Sequence, residues 1–156
     1  MGGTAMKMNR LGKGIETHAW ILLFVIGVIN LLSALPLLLG IEPDATTAER
    51  IIGMTFSELK ASDPRLFDLV TFCLRSGGLF FFGFGLLSTA ISVTAYRRRE
   101  KWAWYTLWIL PAYFLGSTAL VFSIGPTLFE LVALMLFVIL SLLGLLLPYR
   151  KFFPGK

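Results

Sequence analysis

Four long and nearly uncharged apolar stretches within 156 residues leave this chain few ways to fold. The hydrocarbon core of a bilayer is about 30 Å thick, so a spanning helix takes about 20 predominantly apolar residues. The stretches at residues 18–40, 66–96, 102–124 and 126–147 each meet that length. Only 15% of the residues are charged and the mean hydropathy is +0.79, whereas soluble domains carry about 25% charged residues. The alternating ten-residue strands of an outer-membrane barrel are missing. The expected fold class is therefore all-α: a four-transmembrane-helix bundle with a short outer amphipathic helix between spans one and two.

Composition also removes several function classes. Disordered chains are poor in apolar residues, and this one is rich in them. The single cysteine, Cys73, has no intrachain partner, and Cys73 with the single histidine, His18, cannot complete a metal shell. No metal and no cofactor are expected. The first stretch follows Lys7, Arg10 and Lys13, as a signal peptide would, but its 23 apolar-rich residues exceed a signal core of about 7–15. It reads as a span, between a basic terminus at 1–17 and a transmembrane domain at 18–148 that leads into a basic tail at 149–156.

Charge sets the expected orientation. Ten basic residues lie in the amino terminus, the Arg97–Lys101 loop and the tail, on one side of a four-span arrangement. The opposite side, Ile41–Asp68, holds three basic residues (Arg50, Lys60, Arg65) and six acidic ones. By the positive-inside rule both termini should be cytoplasmic, in a multi-pass cell (inner or plasma) membrane protein. Trp20, Trp102, Trp104 and Trp108 lie near the same ends, where amphipathic rings favour the headgroup zone. Basic runs such as RRREK are read as membrane anchors facing the lipid bilayer, with no nucleic acid as partner.

Between spans one and two, Thr46-Thr47-Ala48-Glu49 fits a capping box, and Ile51, Ile52, Phe56 and Leu59 follow at helical spacing. This predicts a helix lying on the bilayer or on the mouth of the bundle, with a lid over a cavity as the sharper alternative. Ser62-Asp63-Pro64 predicts a second helix start, with Asp63 as cap and Pro64 at the first position. Gly125-Pro126 predicts a tight turn between spans three and four.

Within the spans, each helix has one small or polar face: Gly27, Asn30, Ser33 and Ala34 on the first, and Asp68, Arg75, Gly78, Gly85, Thr89 and Ser92 on the second. The third has Thr106, Tyr113 and Ser117 beside an Ala112–Gly116 small-xxx-small pair, and the fourth has Glu130, Ser141 and Gly144. Helices in lipid associate through small residues and hydrogen bonds, so Gly78, Gly85, Ala112 and Gly116 are expected to be packing positions. Arg75 lies 22 residues before Arg97, roughly 33 Å along a helix axis. Glu130 lies 20 residues before Arg150, roughly 30 Å by the same rise. Matched heights at the hydrocarbon border predict an Arg75–Glu130 pair, with Asp68 as a second acid and Asn30 deeper. That cluster reads either as a structural lock between helices or as an outward-facing pocket for an anionic or carbonyl group.

The segment LRSGGLFFFGFGLLSTAISVTAYRRREKWAWYTLW places an arginine before a Gly-Gly pair, a glycine-rich turn, a basic loop and an aromatic span. Over Leu66–Phe114 it resembles small four-helix prokaryotic membrane proteins of the DoxX-like group. That resemblance implies a four-helix bundle in a prokaryotic plasma membrane, and a link to quinone-dependent oxidation or an accessory role. The chain itself lacks paired cysteines or histidines for electron transfer.

The leading expectation is a non-enzymatic accessory or scaffold protein, working with a membrane-protein partner or as a homo-oligomer. The alternative is a binder or carrier of a small lipophilic or anionic molecule, using Asn30, Arg75, Glu130 and Asp68. A third reading is a quinone- or lipid-linked membrane enzyme subunit. A lipid-accessible cavity ending at Arg75 would favour the second, and an exposed small-residue ridge on a packed bundle would favour the first.

Overall fold

The computed structural model describes residues 2–41, 49–51 and 53–154, with side chains from His18 onward. Four apolar helical stretches are long enough to cross a membrane: His18–Leu38, Pro64–Tyr96, Lys101–Ile124 and Leu128–Phe152. Among the described residues there is no strand. The helices are α1 (Gly2–Leu38), α2 (Phe56–Ser62), α3 (Pro64–Ile91), α4 (Lys101–Thr106), α5 (Ile109–Ile124), α6 (Leu128–Leu146) and α7 (Tyr149–Phe152). The terminal pole of the bundle carries Trp20, Arg97 and Phe152. The loop pole carries Gly40, α2 and Gly125.

Local chemistry sets most of the helix ends. Gly40 adopts φ +72°, its amide donates to the Leu37 carbonyl (3.2 Å) and the Ile41 amide to that of Pro36 (2.9 Å), a Schellman closure of α1. Asp63 Oδ1 accepts from the Arg65 and Leu66 amides, both at 3.1 Å, so the expected start of α3 at Asp63-Pro64 is found. Gly125, at φ +84°, makes the expected turn into α6. Span three is interrupted at Leu107–Trp108. Pro111 lies four residues beyond Leu107 and cannot donate to its carbonyl, so the chain there takes the tighter Leu110-to-Leu107 bond of 3.0 Å. At the end of span two the helix widens to a π turn over Ser92–Tyr96. That extra residue per turn aims Tyr96 inward, where its hydroxyl donates to the Gly144 carbonyl at 2.6 Å.

The segment between spans one and two departs from expectation. Thr46 and Ile52 lie outside the described residues. The helical run around Glu49–Ile51 does not continue through Phe56, because Gly53 turns the chain at φ +76°. The amphipathic helix begins instead at Thr55, whose hydroxyl accepts from the Glu58 amide (3.2 Å) while Glu58 accepts from the Thr55 amide (2.8 Å). This capping box holds a short helix whose Phe56 and Leu59 are buried.

Helix α1 packs against both α3 and α6, and α6 also packs against α5. The α1–α3 seam is built on glycine, as expected for Gly78 and Gly85. A Cβ at Gly85 would stand 2.6 Å from the Leu31 amide nitrogen, one at Gly78 2.8 Å from Leu37 Cβ, and one at Gly27 2.5 Å from Thr89 Oγ1. Ala112 and Gly116 correct the same expectation. Both are exposed, and a Cβ at Gly116 would meet nothing within 4 Å. The inward face of α5 is taken by Leu110, Phe114 and Thr118, with Phe114 stacked on Phe137 of α6 at 5.1 Å. Leu120, Phe80, Leu128 and Phe129, each more than two-thirds exposed, belong to a broad apolar exterior that only lipid solvates well.

Candidate functional site

The two poles are built differently. At the terminal pole, Trp104 is buried and packs on Trp108, Tyr149 and Phe153, and its Nε1 donates to the Leu145 carbonyl at 2.9 Å. Trp104 is thus a core residue and not a headgroup ring, whereas Trp102 stays exposed. Arg97 lies over the Trp20 ring at 5.2 Å and Lys101 over Phe153 at 5.6 Å. The cavity here holds only about 20 Å³.

At the loop pole the expected Arg75–Glu130 pair is absent. Glu130 binds Arg50 instead, with Nη2 2.8 Å from Oε1 and Nη1 3.1 Å from Oε2, while Arg50 Nη1 also donates to the Gly125 carbonyl at 2.7 Å. Glu130 also closes a capping box with Thr127, accepting from its amide at 2.8 Å. Matched height along two helices says nothing about direction around the bundle. Helix α1 packs against both α3 and α6, and the outer segment supplies Arg50 on the α6 side. Asp68 is exposed and makes no ion pair among the described residues. Asn30 is buried in the bundle, 4% exposed, and its Nδ2 has no acceptor among the described residues. The four expected site residues therefore do not converge.

Arg75 has a different setting. Its guanidinium lies over Gly40, where a Cβ would come within 2.5 Å of Nη2. This is the carboxyl end of α1, where the helix dipole gives a cation partial compensation. No carboxylate reaches Arg75 among the described residues. Together with Lys60 it lines a cavity of about 260 Å³ between α1, α2 and α3, walled by Leu37, Phe56 and Phe67. Lys60 Nζ stands 5.4 Å from the Phe67 ring centre, and Phe56 meets Phe67 edge-on at 6.4 Å. Helix α2 thus supplies part of the wall of a cavity at the mouth of the bundle.

A second cavity of about 530 Å³ adjoins the first. Leu37 lines both, and Gly77, Phe80, Phe81, Phe84 and Tyr113 complete the second, a groove between α3 and α5. Tyr113 lies 4.7 Å from Phe84 and 5.8 Å from Phe81, ring centre to ring centre. Sequence reasoning missed Lys60 and this aromatic wall. The run Leu79-Phe80-Phe81-Phe82 beside the Gly77-Gly78 pair was the available signal for the wall.

Fold and site together define an all-α integral membrane protein whose loop pole carries a cationic, apolar-walled pocket. No family model, curated protein or solved structure matches the chain. The DoxX-like resemblance therefore rests on the residues of Leu66–Phe114 alone.

Proposed function

We propose that this integral membrane protein is a non-enzymatic binder of a small anionic molecule, held at the loop pole by Lys60 and Arg75. One observation carries the reading. Two cations line one cavity, and among the described residues neither has a carboxylate partner. Arginine offers a planar fork suited to a carboxylate, and Lys60 adds a mobile point charge. Both side chains are exposed, so their attraction for an anion is screened by salt. The α1 dipole offsets only part of this positive charge, because a helix end carries about half an elementary charge.

The Lys and Arg bias supports the further reading that both termini are cytoplasmic in a plasma membrane, so that the pocket opens at the outer face. A reporter fused after Lys156 should then remain in the cytoplasm. The accessory or scaffold reading is supported by a separate observation, the exposed Ala112–Gly116 ridge, which offers a partner helix a close backbone approach.

The anion reading is tested with the protein in nanodiscs of zwitterionic lipid, using hexanoate as a soluble probe and saturation-transfer NMR as the readout. Hexanoate should bind, whereas neutral hexanol and a neutral quinone should not compete with it. The double substitution Lys60→Gln with Arg75→Gln should weaken hexanoate by on the order of tenfold or more, since charge-assisted hydrogen bonds contribute about 1.5–3 kcal/mol. Undiminished hexanoate binding by the doubly substituted protein would overturn the assignment.

A further inference from the structure

The adjoining groove gives the anion a tail. We infer that the ligand is a long-chain carboxylate loaded sideways from the bilayer, with its head at Lys60 and Arg75 and its chain between α3 and α5. This rests on the anion reading above and adds the chemical class and the route of entry.

Three features of the groove support it. Leu37 is a wall of both cavities, so the cationic chamber and the aromatic groove lie to either side of one α1 side chain. Gly77 of the groove lies two residues beyond Arg75, about 3 Å along the axis, and Phe84 lies about 10 Å further on. The groove thus runs from near the level of the charged chamber toward mid-membrane, the depth range of an acyl chain whose head sits at the hydrocarbon border. Gly77 lines this groove, and a Cβ placed on it would meet nothing within 4 Å. A side chain there would occupy the space assigned to the ligand.

The occupant follows from charge and size. Among the described residues neither cation has a carboxylate counter-ion, so an anionic head complements them where a neutral one does not. A cavity of about 530 Å³ is within the usual range of about 300–1,000 Å³ for a small-molecule site. One groove between two helices accepts one chain, which favours a fatty-acid-like carboxylate over a two-chain phospholipid.

The test maps contacts by photolabelling. Hexadecanoate carrying a mid-chain diazirine is incorporated into the same nanodiscs, and the crosslinked residues are read by mass spectrometry. Labels should concentrate on Gly77–Phe84 and Tyr113, and an equivalent hexadecanol probe should not enrich there. Gly77→Leu should abolish that enrichment while hexanoate still binds, which separates loss of the tail site from loss of the head site. Labels spread evenly over other lipid-facing residues such as Phe72, Leu120 and Phe129 would overturn the inference, even with hexanoate bound. Equal labelling by an equivalent single-chain phosphocholine would overturn the carboxylate assignment. Mapping on the unsubstituted protein decides between these outcomes if Gly77→Leu does not fold.

Discussion

The two poles of the bundle handle the same problem, polar groups beside lipid, in opposite ways. At the terminal pole, two inward-facing polar groups are satisfied across helices, Tyr96 donating to the Gly144 carbonyl and Trp104 Nε1 to that of Leu145, while the buried Trp108 Nε1 has no acceptor among the described residues. Aromatic rings fill the remaining space, and Arg97 and Lys101 lie against ring faces. At the loop pole, space is left open and cations line it. The difference separates a pole built to stay shut from one with room for a guest. Mid-bundle hydroxyls take a third course. Thr89, Ser92 and Thr118 each donate to the carbonyl four residues back in their own helix, so they add little to association between spans.

The sharpest test sets two glycines of α3 against each other. Gly85 lies at the α1 seam, and a leucine there would drive its Cβ into the Leu31 backbone. Overpacking of a tight interior costs about 1–3 kcal/mol or more, so Gly85→Leu should sharply lower the melting midpoint in detergent. Gly77→Leu should leave that midpoint unchanged or raise it, because replacing a helical glycine relieves up to about 1 kcal/mol of backbone entropy cost. Equal losses at the two positions would mean that the groove is closed by packing.

A smaller effect is expected at the terminal pole. Tyr96→Phe removes one buried hydrogen bond and leaves the Gly144 carbonyl without its donor. Such a loss costs about 1–3 kcal/mol, and it should appear in the melting midpoint with no change in hexanoate binding. A change in binding would mean that the two poles are coupled.

How much of this could be read from sequence depended on whether the signal was local. Asp63-Pro64 and Gly125-Pro126 announce a cap and a turn through their own backbone chemistry, and both are found. The four spans follow from length and hydropathy alone. Thr55–Glu58 and Thr127–Glu130 were equally legible as S/T-x-x-E patterns, and the second explains why Glu130 is already engaged at its own helix start. Partnership between helices was not legible. Helical rise gives height but not direction around the bundle, so Arg75 and Glu130, placed at similar depth by counting, face different neighbours. Small-residue stripes are ambiguous in the same way: Gly85 is buried in a seam, while Gly116 of an equally plausible stripe faces outward. Lys60 gave no signal, since only the fold brings α2 over the end of α1.

The Arg50–Glu130 clasp ties the outer segment to the α5–α6 turn, and its loss should have a smaller effect than either substitution above. Partly exposed ion pairs contribute little and are screened by salt. Glu130→Gln keeps a capping-box side chain at the start of α6 but removes the ion pair, whereas Glu130→Ala loses both. The glutamine variant should therefore match the unsubstituted protein in high salt, and the alanine variant should stay less stable in any salt. Identical behaviour of the two variants would assign the whole effect of Glu130 to the Arg50 pair.

The smallest expected effect is one of pH, confined to the cover of the loop pole. The Thr55 backbone amide and then its hydroxyl hold the Glu58 carboxyl below the usual carboxylate range. A depressed value in the folded state means that ionised Glu58 favours the capped helix. This contribution is complete above the usual carboxylate range and is lost as pH falls through the lower folded value. Amide protection of Phe56–Leu59 should therefore decrease only below about pH 4, while that of Leu107–Leu110 in the terminal core stays constant. Glu58→Gln retains a capping-box side chain and should remove the pH dependence. If protection at α2 falls in acid even with glutamine at 58, some other group governs the cover. If α2 loosens while hexanoate binding holds, Arg75 and not the cover retains the anion.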